Sequence, residues 1–357
     1  MTDRQRFQRV MSYQPVDALP AVVFEPYEQR AIERWHGEGL PADAQPIEFL
    51  GATPLVHAPV GFGPLPAFAP TVLSDDGEYQ TVISWMGAVL RCRKDNPSMF
   101  YGHLEHPVKT RADWDRYKER FQAATPGRAP VDWQETWVPR LNASASPIGL
   151  CPFPFFFRLG FYALGMERFL TAFHDEPDLI RDMFSYWSGF VLDLIRPLLG
   201  HVQWDYAVFG EDLAGKNGPL ISPRTYDEFW APYQTPIIDL LRENGVPVIC
   251  QWTAGEFNAL IPSLLNQGFN CLWPLEVTAG MDAVALRERY APKLLLGGNI
   301  AKEAVIAGPQ AIDAEIERLM PLTREGGFLP GLDDMGAPDM PFDHYRYLID
   351  KVRAVRL

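Results

Sequence analysis

From about Pro147 onward the chain repeats one pattern: a short apolar run, a polar or glycine-rich connector, then a stretch with apolar residues three and four apart. The runs are "PIGLCPFPFF", "DYAVFG", "VPVICQ", "FNCLWPLE", "KLLLGG" and "GGFLPG". Between them, "PDLIRDMFSYWSGFVLDLI" carries Leu179, Ile180, Met183, Phe184, Trp187, Phe190, Val191, Leu194 and Ile195 as one helical stripe, with proline in its first turn. Ser222 and Pro223 mark a helix entry with Tyr226, Phe229, Trp230 and Tyr233 on the inner face, and Gly308-Pro309 opens another with Ile312, Ile316, Leu319 and Met320 inward. Strands and helices that alternate at this spacing imply parallel strands joined by right-handed crossovers.

The first 150 residues are less regular. "DALPAVVFE" reads as a first strand and "AIERWHGEGLP" as the helix after it. Phe68 to Lys94 alternates apolar and polar residues across "DDG" and "MG" turns, the signature of antiparallel hairpins. "EHPVKTRADWDRYKERF" predicts a charged surface helix and "AATPGRAPVDW" a linker. A doubly wound open sheet needs a glycine-rich phosphate turn after its first strand, and "FEPYEQR" is not one. The expected fold is therefore a (β/α)8 TIM barrel over residues 1–357, with a β-hairpin insertion at about 66–95.

Composition narrows the partners. With 47% hydrophobic and 13% aromatic residues the 357-residue chain can bury a large core. A formal charge of -13 disfavours nucleic acid and makes a polyanionic substrate awkward unless arginines cluster at its site. No apolar stretch suits a signal peptide or a membrane span, so a cytoplasmic location is expected. The four cysteines are scattered and form no CxxC pair, so reduced thiols are expected.

In a barrel of this kind the connectors after the strands converge on one face, where the active site lies. They offer Phe24 and Glu25; Cys151, Phe155, Phe157 and Arg158; Glu211, Asp212, Lys216 and Asn217; Cys250, Gln251 and Trp252; Trp273 and Glu276; Asn299; and Asp333 and Asp334. Aromatic walls with a few ionisable groups suit a small-molecule pocket. Glu211 or Asp212, at the end of an apolar strand, is a candidate general acid, the alternative being a loop salt bridge to Lys216 and capping of nearby amides. Glu276 and Asp334 join them as candidate catalytic carboxylates. Lys216 and Asn217 could hold an anionic or carbonyl group, and Cys250 or Cys271, flanked by Glu211, Glu276 or Asp333, could ligate zinc, although buried cysteine is also common as a small hydrophobe. Asp333 or Asp334 could equally be a helix cap. No histidine falls on a strand end of the C-terminal half, which argues against a histidine-rich metal centre or a Ser-His-Asp hydrolase.

"RFQRVMSYQPVDALP", "GEDLAGKNGPLISPRTYDEFWAPY", "PLEVTAGMDAVALRERY", "LLLGGNI" and "GGFLPGLDDMGAPDMPFDHYRYLI" resemble the uroporphyrinogen decarboxylase superfamily, in particular its decarboxylase-like branch related to methylcobalamin:coenzyme M and chloromethane methyltransferases. The resemblance implies a (β/α)8 barrel with a deep cleft and two candidate activities. The decarboxylases hold their many-carboxylate substrate with an arginine-rich loop, close to "RQAGR". Here "FEPYEQRAIERW" leaves only Arg30 and Arg34, and "DDMGAPD" puts Asp334 where their histidine falls. Tetrapyrrole decarboxylation is accordingly disfavoured. The methyltransferases bind zinc through "HxCG" and a later cysteine; "CQWTAG" puts Cys250 near the histidine's place, and Asp333 lies in the region of the other cysteine.

The preferred expectation is methyl transfer between a small methylated ether or amine and a corrinoid (cobalamin) held by a separate partner protein, since the chain lacks a DxHxxG element. Glu211 or Asp212 would be the acid, Phe157, Trp252 and Trp273 would exclude water, and Lys216, Asn217 and Asn299 would orient the substrate, with Glu25, Arg158 and Gln251 also at the site. A lyase acting on a small carboxylic acid, with Arg158 or Lys216 as the carboxylate clamp, and a non-enzymatic ligand carrier are the alternatives. A homodimer would be ordinary for such a protein.

Overall fold

A computed structural model describes the chain apart from residues 25, 26, 291, 293 and 357, and apart from the side chains of residues 97–101. The first strand, β1 (Val22–Val23), pairs in parallel with β2 (Thr53–Pro54). After Leu55 the same stretch continues as β3 (Val56–His57), the edge of a parallel sheet. The chain next makes an antiparallel sheet of β4 (Thr71–Asp75), β5 (Tyr79–Ile83), β6 (Val89–Arg93) and β7 (Asn96–Glu105). It then returns to the parallel sheet as β8 (Ile148–Leu150) and β9 (Tyr206–Gly210). A small hairpin, β10 (Ala214–Gly215) with β11 (Gly218–Pro219), precedes β12 (Val248–Thr253), β13 (Cys271–Pro274), β14 (Leu295–Ile300) and β15 (Phe328–Leu332).

Strands β3, β8, β9, β12, β13, β14 and β15 are hydrogen-bonded neighbours in that order, all parallel. The pair β1–β2 extends this curled sheet toward β15. Among the described residues, contact across that seam comes from Phe24 packed beside Gly297 and Gly331, and from one parallel bridge, Tyr27 to Gly336. The ring is thus a TIM-type barrel, stitched by a ladder everywhere except between β15 and β1 among the described residues.

Amphipathic spacing predicts the outer layer well. Each stripe residue expected in the helix Pro177–Ile195 is buried, as are Tyr226, Phe229, Trp230, Ile312 and Leu319. The Ser222 side chain accepts from Thr225 N at 3.0 Å and so starts the helix Pro223–Phe229. The presumed linker behaves differently: Arg128 is 3% exposed and donates to the carbonyls of Gly61, Gly63, Gln122 and Arg120, which pins this segment to the body. Large interior side chains face small ones. Tyr206 fills the barrel opposite Gly149, where a Cβ would lie 2.3 Å from its ring.

The opposite end of the barrel from the strand ends is plugged by the helix Asp3–Met11. Its Arg4 Nε meets Asp205 Oδ2 at 2.8 Å, Gln8 donates to the other oxygen, and Ile148 N closes the cluster. No described helix is long and apolar enough to cross a membrane.

Candidate active site

At the carboxyl ends of the strands lies a cavity of about 510 Å³. Its walls are Val23, Phe24, Ile47, Pro54, Leu55, Phe153, Val208, Gly210, Trp252, Trp273 and Met335, with His57, Cys151 and Arg158 supplying polar groups. Trp273 forms the floor, its ring 4.8 Å from that of Phe24. Arg158, from the helix Phe156–Leu164, lies over two rings, 5.2 Å from Phe153 and 5.6 Å from Trp252. Its Nη2 donates to Asp212 Oδ1 at 3.0 Å. Burial raises the Asp212 carboxyl pKa, and only the facing guanidinium pulls it back down.

His57 ends β3 and is open to the cavity, its ring 5.8 Å from that of Tyr206. Protein surrounds it on the other sides, and this desolvation lowers its pKa and favours the neutral imidazole. The expectation that no strand end carries a histidine covers only the C-terminal half of the chain. The short run "PLVH" held the missing signal: an apolar strand ending in His57.

Of the residues expected at the site, Phe24, Cys151, Arg158, Trp252 and Trp273 come together here, with Asp212 attached through Arg158. Others are placed elsewhere, for reasons the local geometry makes plain. Side chains alternate along a strand, so the phase that turns Val208 and Gly210 inward turns Phe209 and Glu211 outward. Glu211 is accordingly fully buried behind β9, accepting from Phe157 N at 2.7 Å, Trp230 Nε1 at 3.3 Å and Gln234 Nε2 at 3.4 Å. Burial pushes its pKa up to about 8, against the pull of the Phe157 amide. Its role is to fasten the start of the helix that carries Arg158. Gln251 is out of phase with Trp252 in the same way and donates to Phe209 O and Trp252 O. Phe157 is core, packed on Phe169.

Lys216 and Asn217 form the exposed tip of the β10–β11 hairpin. Asn299 has φ 62° and follows Gly298 at φ 88°, and two consecutive left-handed residues rotate it off the strand's alternation. Its amide donates to Leu275 O and Met281 O and accepts from Ala283 N and Arg318, so it is consumed as a brace between connectors. Glu276 accepts from Gly255 N at 2.9 Å and from the Thr278 hydroxyl. Asp334 pairs with Lys302. Glu25 lies outside the described residues.

The donor set does not suit zinc. Asp333 is fully buried with both oxygens engaged, Oδ2 by Val277 N and Oδ1 by Lys302 N, each at 2.9 Å. It caps two helical turns at once, and burial pushes its pKa to about 7. Cys250 is buried within β12. Among the described residues no three His, Cys, Asp or Glu side chains gather as a metal site.

A methyltransferase from Methanosarcina mazei superposes with a TM-score of 0.62 at 17% identity, covering 99% of this chain and 98% of that one. A candidate vitamin-B12 independent methionine synthase from Listeria monocytogenes gives a TM-score of 0.36 at 12% identity, covering 61% of this chain and 68% of that one. No protein with a curated description matches. The family model for uroporphyrinogen decarboxylase (URO-D) matches residues 86–355, well over half of the sequence. The chain belongs to the uroporphyrinogen decarboxylase family.

Proposed function

We propose that the chain is an enzyme that moves a methyl group from a small methylated compound, an ether or an amine, to a corrinoid held by a separate carrier protein. The observation that carries this reading is the cavity's lining: aromatic and aliphatic walls with one paired cation and one imidazole. A tetrapyrrole with many carboxylates needs several cations around it, and among the described residues Arg158 is the one cationic side chain in this wall. The family match supports an enzyme of the decarboxylase or methyltransferase type, and the whole-chain superposition on a methyltransferase supports the fold.

Corrinoid chemistry would supply the nucleophile that accepts the methyl group. The structure suits an external carrier in one respect: the cavity opens at its mouth, with Phe153 38% exposed. Phe24, Trp252 and Trp273 would hold the methyl donor and exclude water. Asp212, rather than Glu211, would protonate the departing oxygen or nitrogen, because it is the carboxyl joined to the cavity wall. His57, neutral and facing the same space, would orient the donor by hydrogen bonding.

The test follows loss of the cobalt(I) absorbance of a supplied corrinoid, with a panel of methyl ethers and amines, beside a carbon dioxide assay. Methyl transfer is expected for some donor, with kcat reduced about 10²- to 10⁴-fold in Asp212→Asn and thermal stability retained. Carbon dioxide release with no consumption of cobalt(I) would replace this reading with the lyase.

A further inference from the structure

Arg158 is poorly satisfied for a cation in a protein wall. A guanidinium has five N–H donors in a rigid fork. Asp212 meets it through one oxygen, Oδ1, and the Tyr162 hydroxyl is a second polar partner, but the Arg158 Nε–H is buried with no hydrogen-bond partner among the described residues. The rings of Phe153 and Trp252 flank it beside the cavity. Such a group is built to accept a second planar anion. A carboxylate matches the fork edge to edge, whereas a phosphate dianion would need a second cation, which the described residues of this wall do not supply.

We propose that the molecule bound in this cavity carries a carboxylate, that Arg158 binds it in exchange for Asp212, and that Asp212 then takes up a proton from solvent. The proposal rests on the reading of this cavity as the reaction site and deepens it by naming the substrate class and the event that arms the acid. Charge balance gives the reason. The resting pair is neutral; an incoming carboxylate would leave one net negative charge in an apolar chamber of a chain already at -13. One proton on Asp212 restores neutrality. The groups facing Asp212 favour this: Arg158 and Tyr162 come from the helix Phe156–Leu164, Glu211 is its neighbour, and burial already raises its pKa. Arg158 is the cation that opposes the rise, so its departure removes the restraint.

The experiment is isothermal titration of the full chain with benzoate and 4-methoxybenzoate, against benzamide and 4-methoxybenzamide, at pH 7 and 8 in two buffers of different ionisation enthalpy. Carboxylates are expected to bind about tenfold or more tighter than their amides, with uptake of about one proton per molecule bound. Asp212→Asn should keep carboxylate binding and abolish the uptake. Arg158→Gln should abolish the preference. Arg158→Lys, which keeps the charge without the fork, should retain part of it, and melting curves establish that each variant is folded. Equal affinity for acid and amide, no carboxylate binding at millimolar concentration, or tight binding with no proton uptake would overturn the proposal. None of these readouts involves methyl transfer. Carboxylate binding without cobalt(I) consumption would therefore discard the reaction and keep this inference, and the reverse result would do the opposite.

Discussion

Glu211 and Asp212 are adjacent in sequence and separated in role by one step of the strand's alternation. The first turns behind β9 and fastens a backbone amide; the second meets the cation of the cavity. Glu211 is protonated in the folded chain up to about pH 8, while an unfolded glutamate ionises near 4.5. The folded state therefore binds more protons between these values, and stability falls as pH rises through that window and levels off above it. Glu211→Gln removes this component. Urea midpoints at pH 5, 6.5 and 8 should drop less steeply for the variant, by as much as a few kcal/mol across the window, and parallel curves would show that Glu211 is ionised throughout. Asp333 titrates in the same range in both proteins, so the difference isolates Glu211. Which carboxylate faces inward was not legible in "FGED", because phase depends on where the strand begins. The charge content of the connector was legible; its partition was not.

Connectors in this molecule are held to one another by side chains that look catalytic in sequence. Asp333 leaves the end of β15 and caps both the turn Val277–Ala279 and the helix Lys302–Ala307. Asn299 braces the same connector from β14. Asp333→Ala strands two amides, one at each cap, and should cost about 2–4 kcal/mol, read as a fall in the urea midpoint. If Asp333 instead held a metal, a chelator acting on the natural chain would reproduce that loss. Gly298 belongs to the same brace: at φ 88° an added Cβ would lie 2.1 Å from Pro274 O. Strand and helix order were legible from periodicity alone, because apolar spacing reports burial directly. The bracing role was not, since a buried polar residue at a strand end serves a cap and a substrate equally well.

At the scale of the whole barrel, the parallel sheet is continuous from β3 to β15, and the pair β1–β2 completes the ring. The barrel class was readable because alternating strands and helices admit few topologies. His57 escaped because its strand is short and interrupted at Leu55. Among the described residues, the seam between β15 and β1 holds by side-chain packing and the one Tyr27–Gly336 bridge. In hydrogen exchange, the amides of Val22 and Val23 should lose protection well before those of β12 and β13, which are laddered on both sides. Uniform protection around the ring would refute a weak seam. Phe24 stands at that opening and also walls the cavity. A guest resting against both Phe24 and Trp273 of β13 thus ties the loosely held first stave to the laddered body of the sheet, so that filling the cavity also braces the seam.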